Sequence, residues 1–489
     1  MQFSFRKITQ YIGTMPMAAI ALSLAVGIAI SDGLALTAPI WFGLGVVALL
    51  TLPLFAKRLR IAAIATVFVA IGGGVEALHT TSTPPLSEPV ELLLHFDTDS
   101  QQRESGTTAN ATIVGSNRGG TSARLRIYSD STLRFKAGER VVAQSVIRPF
   151  TTHYPRYALM MQRLGFVGYA YLSPHNTALS ATHTPTLHQM ATERLRSLLP
   201  DDEARSVVLS MGTGYRNEIR PETSQYYLTT AAAHLLAVSG LHVGIVCVLL
   251  NLLFWPLVLV WRGNVWRSIL VVVAIWGYVA LCDWSPSATR AALMFSALQL
   301  SLFGAYRYNS GNNLCSIVAV LLLISPQLLF DVGFQLSFVA VASIIFWYIP
   351  LAHLFKTRWT AVNMLLHTLL VGVTTTLATA PIISYTFGTI SLCGIVLNLP
   401  LIAIANVVVF CSVGALLLPN PLARLVAECA HRFADWQNAI VEAAATSNAG
   451  YYDYSAPWWL VVLLYALALT ATILAKGFVV RQTERRFVG

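Results

Sequence analysis

The sequence predicts a polytopic α-helical membrane protein, with about ten spans plus a re-entrant segment and an inserted extracytoplasmic small β-barrel (OB-like) domain. Three observations predict it. Of 489 residues, 55% are hydrophobic and 11% charged, less than half the roughly 25% charge of a soluble domain. Apolar runs long enough to cross a bilayer recur on both sides of one polar interval. That interval alternates polar and apolar residues in short stretches, the signature of half-buried strands. The composition excludes an ordinary cytosolic enzyme, a disordered chain and a fibrous repeat.

The first region, 1–79, holds apolar runs at 15–31, 40–56 and 61–78. Further spans follow the first run at once and no small-x-small cleavage site precedes a mature domain, so it reads as a span and not a removable signal. The polar interval is the β domain, 80–182, and an amphipathic helical linker, 183–225, follows. The membrane core, 226–478, carries runs at 241–261, 268–284, 288–304, 312–329, 333–351, 363–384 and 457–476, and a basic tail occupies 479–489. With the N-terminus in the cytoplasm, the inside segments hold fourteen Lys/Arg and the short outside loops hold one, Arg290. That asymmetry puts both termini inside a cell (inner) membrane. Parity then requires 391–450 to enter and leave on one face. A break at Asn398–Pro400 into re-entrant half-helices achieves this, and a shallow interfacial helix is the alternative. Residues 421–446 read as an amphipathic helix on the outer surface. The six cysteines contain no C-x-x-C pair and read as small core residues without disulfides.

Charge singles out the β domain. Between 110 and 170, nine basic residues, eight of them Arg, face two acidic ones. The nine include Arg118, Arg124, Arg126, Arg134, Lys136, Arg140 and Arg148. Tyr128, Phe135, Phe150, Tyr154, Tyr157, Phe166 and Tyr169 are interleaved. Cations for phosphates and planar rings for bases suit single-stranded nucleic acid. The competing reading puts the rings in the core and the arginines on a solvated face or on lipid headgroups. Turn signals at Asn117–Gly120 and Lys136–Glu139 separate the strands.

Polar residues inside apolar segments are the next candidates. His234, Ser239, Gly240 and His242 lie in one cluster, where the small residues let a helix break. Ser239 and His242 at helical spacing raise a serine hydrolase, but no nucleophile turn, acid partner or oxyanion signature accompanies them. Arg290 opens an apolar helix, where it pairs with Asp283 or meets a phosphate. Asp331 reads as a helix cap or as a partner for Arg290, and Gln335 follows one turn later. No metal set is expected: His183 and His188 lack carboxylate support, and no His-x-His-x-Asp-His, His-Glu-x-x-His or Cys/His quartet occurs. No Walker A loop occurs either, and no cofactor is expected.

Together these clusters resemble a known family. His234–Gly244 resembles the HLLA[IV]SGLHVG signature of the ComEC family, the DNA internalisation channels of natural transformation. Ser285–Ala291 resembles its S-x-S-x-x-R-A/S element and Asp331–Phe338 its DVGFQLSF element. Ala380–Pro381, Phe387–Gly388 and Asn398–Pro400 fit its last core stretch. Where the family often has Gly-Asp-Arg, this chain has Gly214-Tyr215-Arg216. Many members carry a C-terminal metallo-β-lactamase-like nuclease domain; this sequence stops at Gly489, just after its last span, so a form without that domain and its nuclease activity is expected. The resemblance implies a non-enzymatic transmembrane channel importing single-stranded DNA across the membrane. Its partners would be an extracytoplasmic DNA receptor, a cytoplasmic helicase or single-strand-binding protein, a separate nuclease and the lipid bilayer. A secondary transporter of a smaller anion is the main alternative, and an intramembrane serine hydrolase the second.

Overall fold

The computed structural model describes residues 15–34, 37–51, 57–79, 88–103, 106–116, 123–130, 132–150, 155–180, 185–301, 309–352, 355, 357–447 and 450–472. Two compact units divide the chain: 19–190 with 319–330, and 191–318 with 331–489 and the chain up to Ala18.

The unit spanning 19–190 opens with three helices, α1 (Pro16–Leu34), α2 (Ala38–Thr51) and α3 (Lys57–His79). Glycines let α1 and α3 touch backbone to backbone: a Cβ on Gly27 would lie 1.9 Å from Val69 O, and one on Gly72 2.4 Å from Leu24 O. Small residues at a helix crossing are the membrane solution to close packing, because lipid supplies no hydrophobic drive between helices.

A seven-stranded sheet follows. Its strands are β1 (Val90–Phe96), β2 (Gln101–Arg103), β3 (Gly106–Ser116), β4 (Arg124–Ser129), β5 (Arg140–Ser145), β6 (Phe166–Leu172) and β7 (Thr177–Ser180), with α4 (Pro155–Arg163) before β6. The order is β6-β4-β3-β1-β5-β7, with β2 on β3. Among the described residues only β4 and β6 pair in parallel, and an antiparallel bridge from Arg148 to Tyr169 joins the chain just past β5 to β6. Alternation decides what goes inside. Leu92, Leu94, Phe96, Leu125, Ile127, Val141 and Ala143 point inward to one apolar core. Phe135 belongs to that core: it is 2% exposed and stacks on Phe96 with centroids 4.2 Å apart. Its expected role as a DNA-contacting ring is therefore overturned, since a ring sealed between strands offers no face to a base. The sequence placed it wrongly because a loop phenylalanine looks the same whether it folds inward or outward.

The second unit contains α5 (Leu187–Leu198), α6 (Glu203–Thr213), α7 (Pro221–Thr229), α8 (Gly240–Leu253), α9 (Gly263–Leu281), α10 (Pro286–Ser301), α12 (Val332–Ala352), α13 (Thr360–Phe387), α14 (Gly394–Leu417), α15 (Leu422–Thr446) and α16 (Trp458–Thr472). Between α10 and α12, α11 (Ser310–Ile324) runs from one unit into the other along the chain. Among the described residues, five helices are long and apolar enough to cross a membrane, and five shorter apolar ones accompany them. This mostly helical, apolar architecture is that of a membrane protein. The run expected at 241–261 ends as an α-helix at Leu253, and a 3-10 turn, Trp255–Leu259, with Pro256 near its start, takes over; proline cannot donate the next helical bond.

Two expectations change here. Residues 183–225 are not a separate linker. From Ala204 to Thr213 every residue of α6 except Arg205 is buried, and α6 packs with α14, α15 and the turn Ala233–Leu236 in one core. Its serines, glycine and threonine made it look polar, yet their small size is what permits that burial. Nor does the chain break at Asn398–Pro400. α14 runs unbroken through Pro400, which lies on its exposed side, as does Val396 four residues earlier. Membrane helices tolerate such prolines where the freed carbonyl finds other partners. The chain still returns to its starting point: β8 (Thr389–Ser391) ahead of α14 pairs antiparallel with β9 (Tyr451–Asp453) after α15. α15 does not lie apart as a surface helix, because Ala427, Ala430, Ala434 and Val441 form a buried stripe packed in the core that includes α14 and α6.

Candidate functional site

Four sequence elements converge within the helical unit. His234 sits in the 3-10 turn Ala233–Leu236, and its Nδ1 donates to Ala231 O at 3.0 Å. Ser239 adopts extended backbone and caps α8, with its N–H donating to His242 Nδ1 at 3.3 Å. His242 is fully buried and its Nε2 has no hydrogen-bond partner. The imidazole thus faces the backbone of Ser239, an arrangement that orients the turn and leaves no Ser–His pair of the kind a hydrolase needs. A Cβ on Gly240 would meet Ala291 Cβ at 3.7 Å, which sets the turn beside Arg290.

Arg290 is 5% exposed. Its Nη2 donates to Gly333 O at 3.0 Å, and its Nη1 lies 3.9 Å from Asp331 Oδ2. Asp331 caps α12, accepting from Phe334 N at 2.6 Å. Asp331 thus serves as the cap of α12 and stands beside Arg290 at once. Gln335 N donates to Asp331 O at 3.0 Å in the same turn. Asn398 stands elsewhere: a Cβ on Gly394 would lie 3.3 Å from Asn398 Nδ2 and 2.8 Å from Ala231 Cβ, so Asn398 shares the Ala231–His234 side of the cluster. Its Oδ1 is buried without a partner.

In the β unit the basic candidates separate. Arg124, Arg126 and Tyr128 alternate along β4 on the face away from the core. Their partners on β6 are Phe166, Tyr169 and Tyr171, and Arg148 is opposite Tyr169, so it shares that face. Arg124 lies over the Phe166 ring at 4.8 Å and 3.8 Å from Asp97. Arg126 is fixed by Asn110 Oδ1 at 2.6 Å and Thr108 Oγ1 at 3.1 Å. Tyr128 packs 5.8 Å from Tyr169 and 5.6 Å from Tyr171, and its hydroxyl is 3.3 Å from that of Tyr157. Burial, then Tyr157, pushes the Tyr128 phenol above its ordinary value, so it stays a neutral hydrogen-bonding group at physiological pH.

The rest of the basic set lies apart from this stripe. Arg134 reaches Gln102 at 3.4 Å, Lys136 belongs to the turn closed by Glu139 on its backbone N–H, and Arg140 sits on β5 opposite His95. Arg118 lies outside the described residues. Sequence reasoning missed Tyr171, which is 56% exposed; its signal was the alternation Phe166-Val167-Gly168-Tyr169-Ala170-Tyr171. It also missed that Arg163 is an anchor. Arg163 Nη2 binds Asp32 Oδ2 at 2.5 Å and its guanidinium covers the Phe330 ring at 4.0 Å.

A family model described as Competence protein matches residues 211–478. "ComE operon protein 3" of Bacillus subtilis (strain 168) is 30% identical over 245 residues, 50% of this chain and 30% of that protein. "Uncharacterized protein YcaI" of Escherichia coli (strain K12) is 27% identical over 147 residues, 29% of this chain and 20% of that protein. An uncharacterized protein of Aquifex aeolicus (strain VF5) is 30% identical over 156 residues, 31% of this chain and 36% of that protein. The matches thus span about a third or less of each curated relative's length. No solved structure matches the chain.

Proposed function

The chain belongs to the Competence protein family, the ComEC family its motifs resemble, and from that premise we propose that it is a channel taking single-stranded DNA through the cytoplasmic membrane during DNA uptake. In this reading the apolar helices are spans, both termini are cytoplasmic and the sheet is an OB-like barrel on the outer side. The ring β1-β3-β4-β6-β5 supports the barrel, with its parallel β4–β6 pair and the Arg148–Tyr169 bridge joining β5's end to β6.

The observation that carries the reading is the stripe of Arg124, Arg126 and Arg148 beside Tyr128, Tyr169 and Tyr171 on one face of that sheet. Guanidinium groups meet phosphates and the rings stack on unpaired bases, which needs no sequence preference. Polyanionic DNA cannot enter hydrocarbon, so the helical unit must offer cations and backbone dipoles along its path. Arg290 and the Ser239–Gly240 turn are assigned that part. Pulling is assigned to a cytoplasmic helicase or single-strand-binding protein. Delivery to the sheet is assigned to an extracytoplasmic receptor, and strand degradation to a nuclease.

Entry of labelled DNA into a nuclease-protected internal pool, in cells whose uptake depends on this chain, tests the reading. Arg290→Ala should abolish entry while membrane insertion stays normal. Full entry with a stably inserted variant removes Arg290 from the path, and undiminished entry without the chain removes the function.

A further inference from the structure

We propose that the Arg290 guanidinium is a seat for a phosphodiester group and that the Asp331 carboxylate guards it, an exchange gate that rests on the DNA-uptake reading. The argument begins with hydrogen bonds that are not made. A guanidinium carries five N–H donors, and Arg290 donates from Nη2 to Gly333 O. Its Nε and Nη1 are buried with no hydrogen-bond partner, although the side chain is only 6% exposed. Orphaned donors in a buried cation are costly. A structural ion pair would close to roughly 2.8 Å and use them. Here the nearest carboxylate oxygen stays 3.9 Å away, held by the Phe334 N–H that it caps at 2.6 Å.

The surroundings fit an oxyanion. Asp331 starts α12, and the amides of the first turn of a helix point outward with a partial positive charge. Gly333 adds no side chain there; a Cβ would stand 3.2 Å from Asp331 Oδ2 and 3.7 Å from Arg290 Nη2. Exposure is lopsided. The Asp331 side chain is 33% exposed against 6% for Arg290, so an approaching ligand meets the carboxylate first. A phosphodiester carries one negative charge, as Asp331 does. Replacing one by the other keeps one negative charge beside Arg290 throughout and avoids stranding a buried cation. Asp331 is the more exposed member of the pair and so the one with room to move aside, and the planar fork of Arg290 suits two phosphate oxygens.

The test uses the full chain in detergent, with phenylglyoxal labelling of Arg290 followed by peptide mass spectrometry and dimethyl phosphate as the probe. Asp331→Asn removes the charge and keeps the cap, since Asn caps as well as Asp. Expected are faster labelling of Arg290 in Asp331→Asn and protection by dimethyl phosphate at about tenfold lower concentration than in the wild type. Chloride at equal ionic strength should protect neither. The wild-type chain gives an independent arm, because dimethyl phosphate should slow its labelling more than chloride does. Equal effects of the two anions on the wild type, or unchanged protection in Asp331→Asn, overturn the seat. Phosphate protection in a chain whose cells take up no DNA overturns the uptake reading and keeps the seat; DNA uptake without protection overturns the seat alone.

Discussion

Tyr171→Ala separates stacking from charge on the β-sheet face. The ring is 56% exposed, with Tyr128 and Tyr169 centroids 5.6 and 5.7 Å away, so an incoming base finds one open face and two supporting rings. Base–aromatic stacking contributes about 1–3 kcal/mol by alanine substitution. Because two rings of the cluster remain, the lower part of that span applies, about 1–2 kcal/mol, or roughly 5–30-fold weaker binding. Removing an exposed side chain should change stability by less than about 0.5 kcal/mol, so the loss will not come from unfolding. Arg148→Ser is the complementary change: it removes one phosphate contact and should reduce the salt slope of binding by about 0.7. The assay is fluorescence anisotropy of a labelled oligo-dT against the full chain in detergent, titrated at a series of KCl concentrations. Tyr171→Ala should shift every curve by one factor and leave the slope unchanged. Wild-type affinity in Tyr171→Ala, or a slope that falls as it does in Arg148→Ser, would refute the assignment of the ring to bases.

Three further changes probe the framework. Phe135→Ala should destabilise the β-sheet unit by about 3–5 kcal/mol, the usual result of emptying a buried aromatic site, whereas Arg134→Ala beside it should leave thermal unfolding unchanged. Gly212→Val should prevent stable accumulation in the membrane, because even a Cβ at that position would stand 2.8 Å from Ser412 Cβ; wild-type levels would show that α6 can move away from α14. Pro400→Ala should keep both folding and DNA entry, since it restores an N–H within a continuous helix, and lost entry with intact folding would return a functional break to this position.

The long apolar runs were readable in advance because their meaning depends on composition and length alone. The strands at 111–114, 123–128 and 140–146 lie in or nearly coincide with β3, β4 and β5, since alternation survives any register. The Lys136–Glu139 turn was equally plain, and Gly138 has φ +86°. What alternation does not give is the partner strand. That Arg126 faces Tyr169, and that Arg140 lies strands away opposite His95, follows from register. Pairing of Arg290 with Asp331 was foreseen as one of two options because motif order does not tell which helices touch. α6 escaped because Ser206, Ser210 and Thr213 read as polar, yet Ser210 Oγ donates to Leu236 O at 2.5 Å and Thr213 Oγ1 to Leu209 O at 2.9 Å. Bonded hydroxyls on small side chains can be buried at little cost.

α6 also dictates where the polypeptide can be trimmed. The family match begins at residue 211, inside the last turn of this helix, so a recombinant fragment cut to that boundary would discard Val207, Val208 and Leu209. Those three side chains are wholly enclosed, and their loss would forgo about 5–9 kcal/mol of burial while leaving an oily trench in the remaining core. Leu195 and Leu199 border the same space. A shortened version meant for biophysics should start ahead of Leu187, whatever a similarity search suggests.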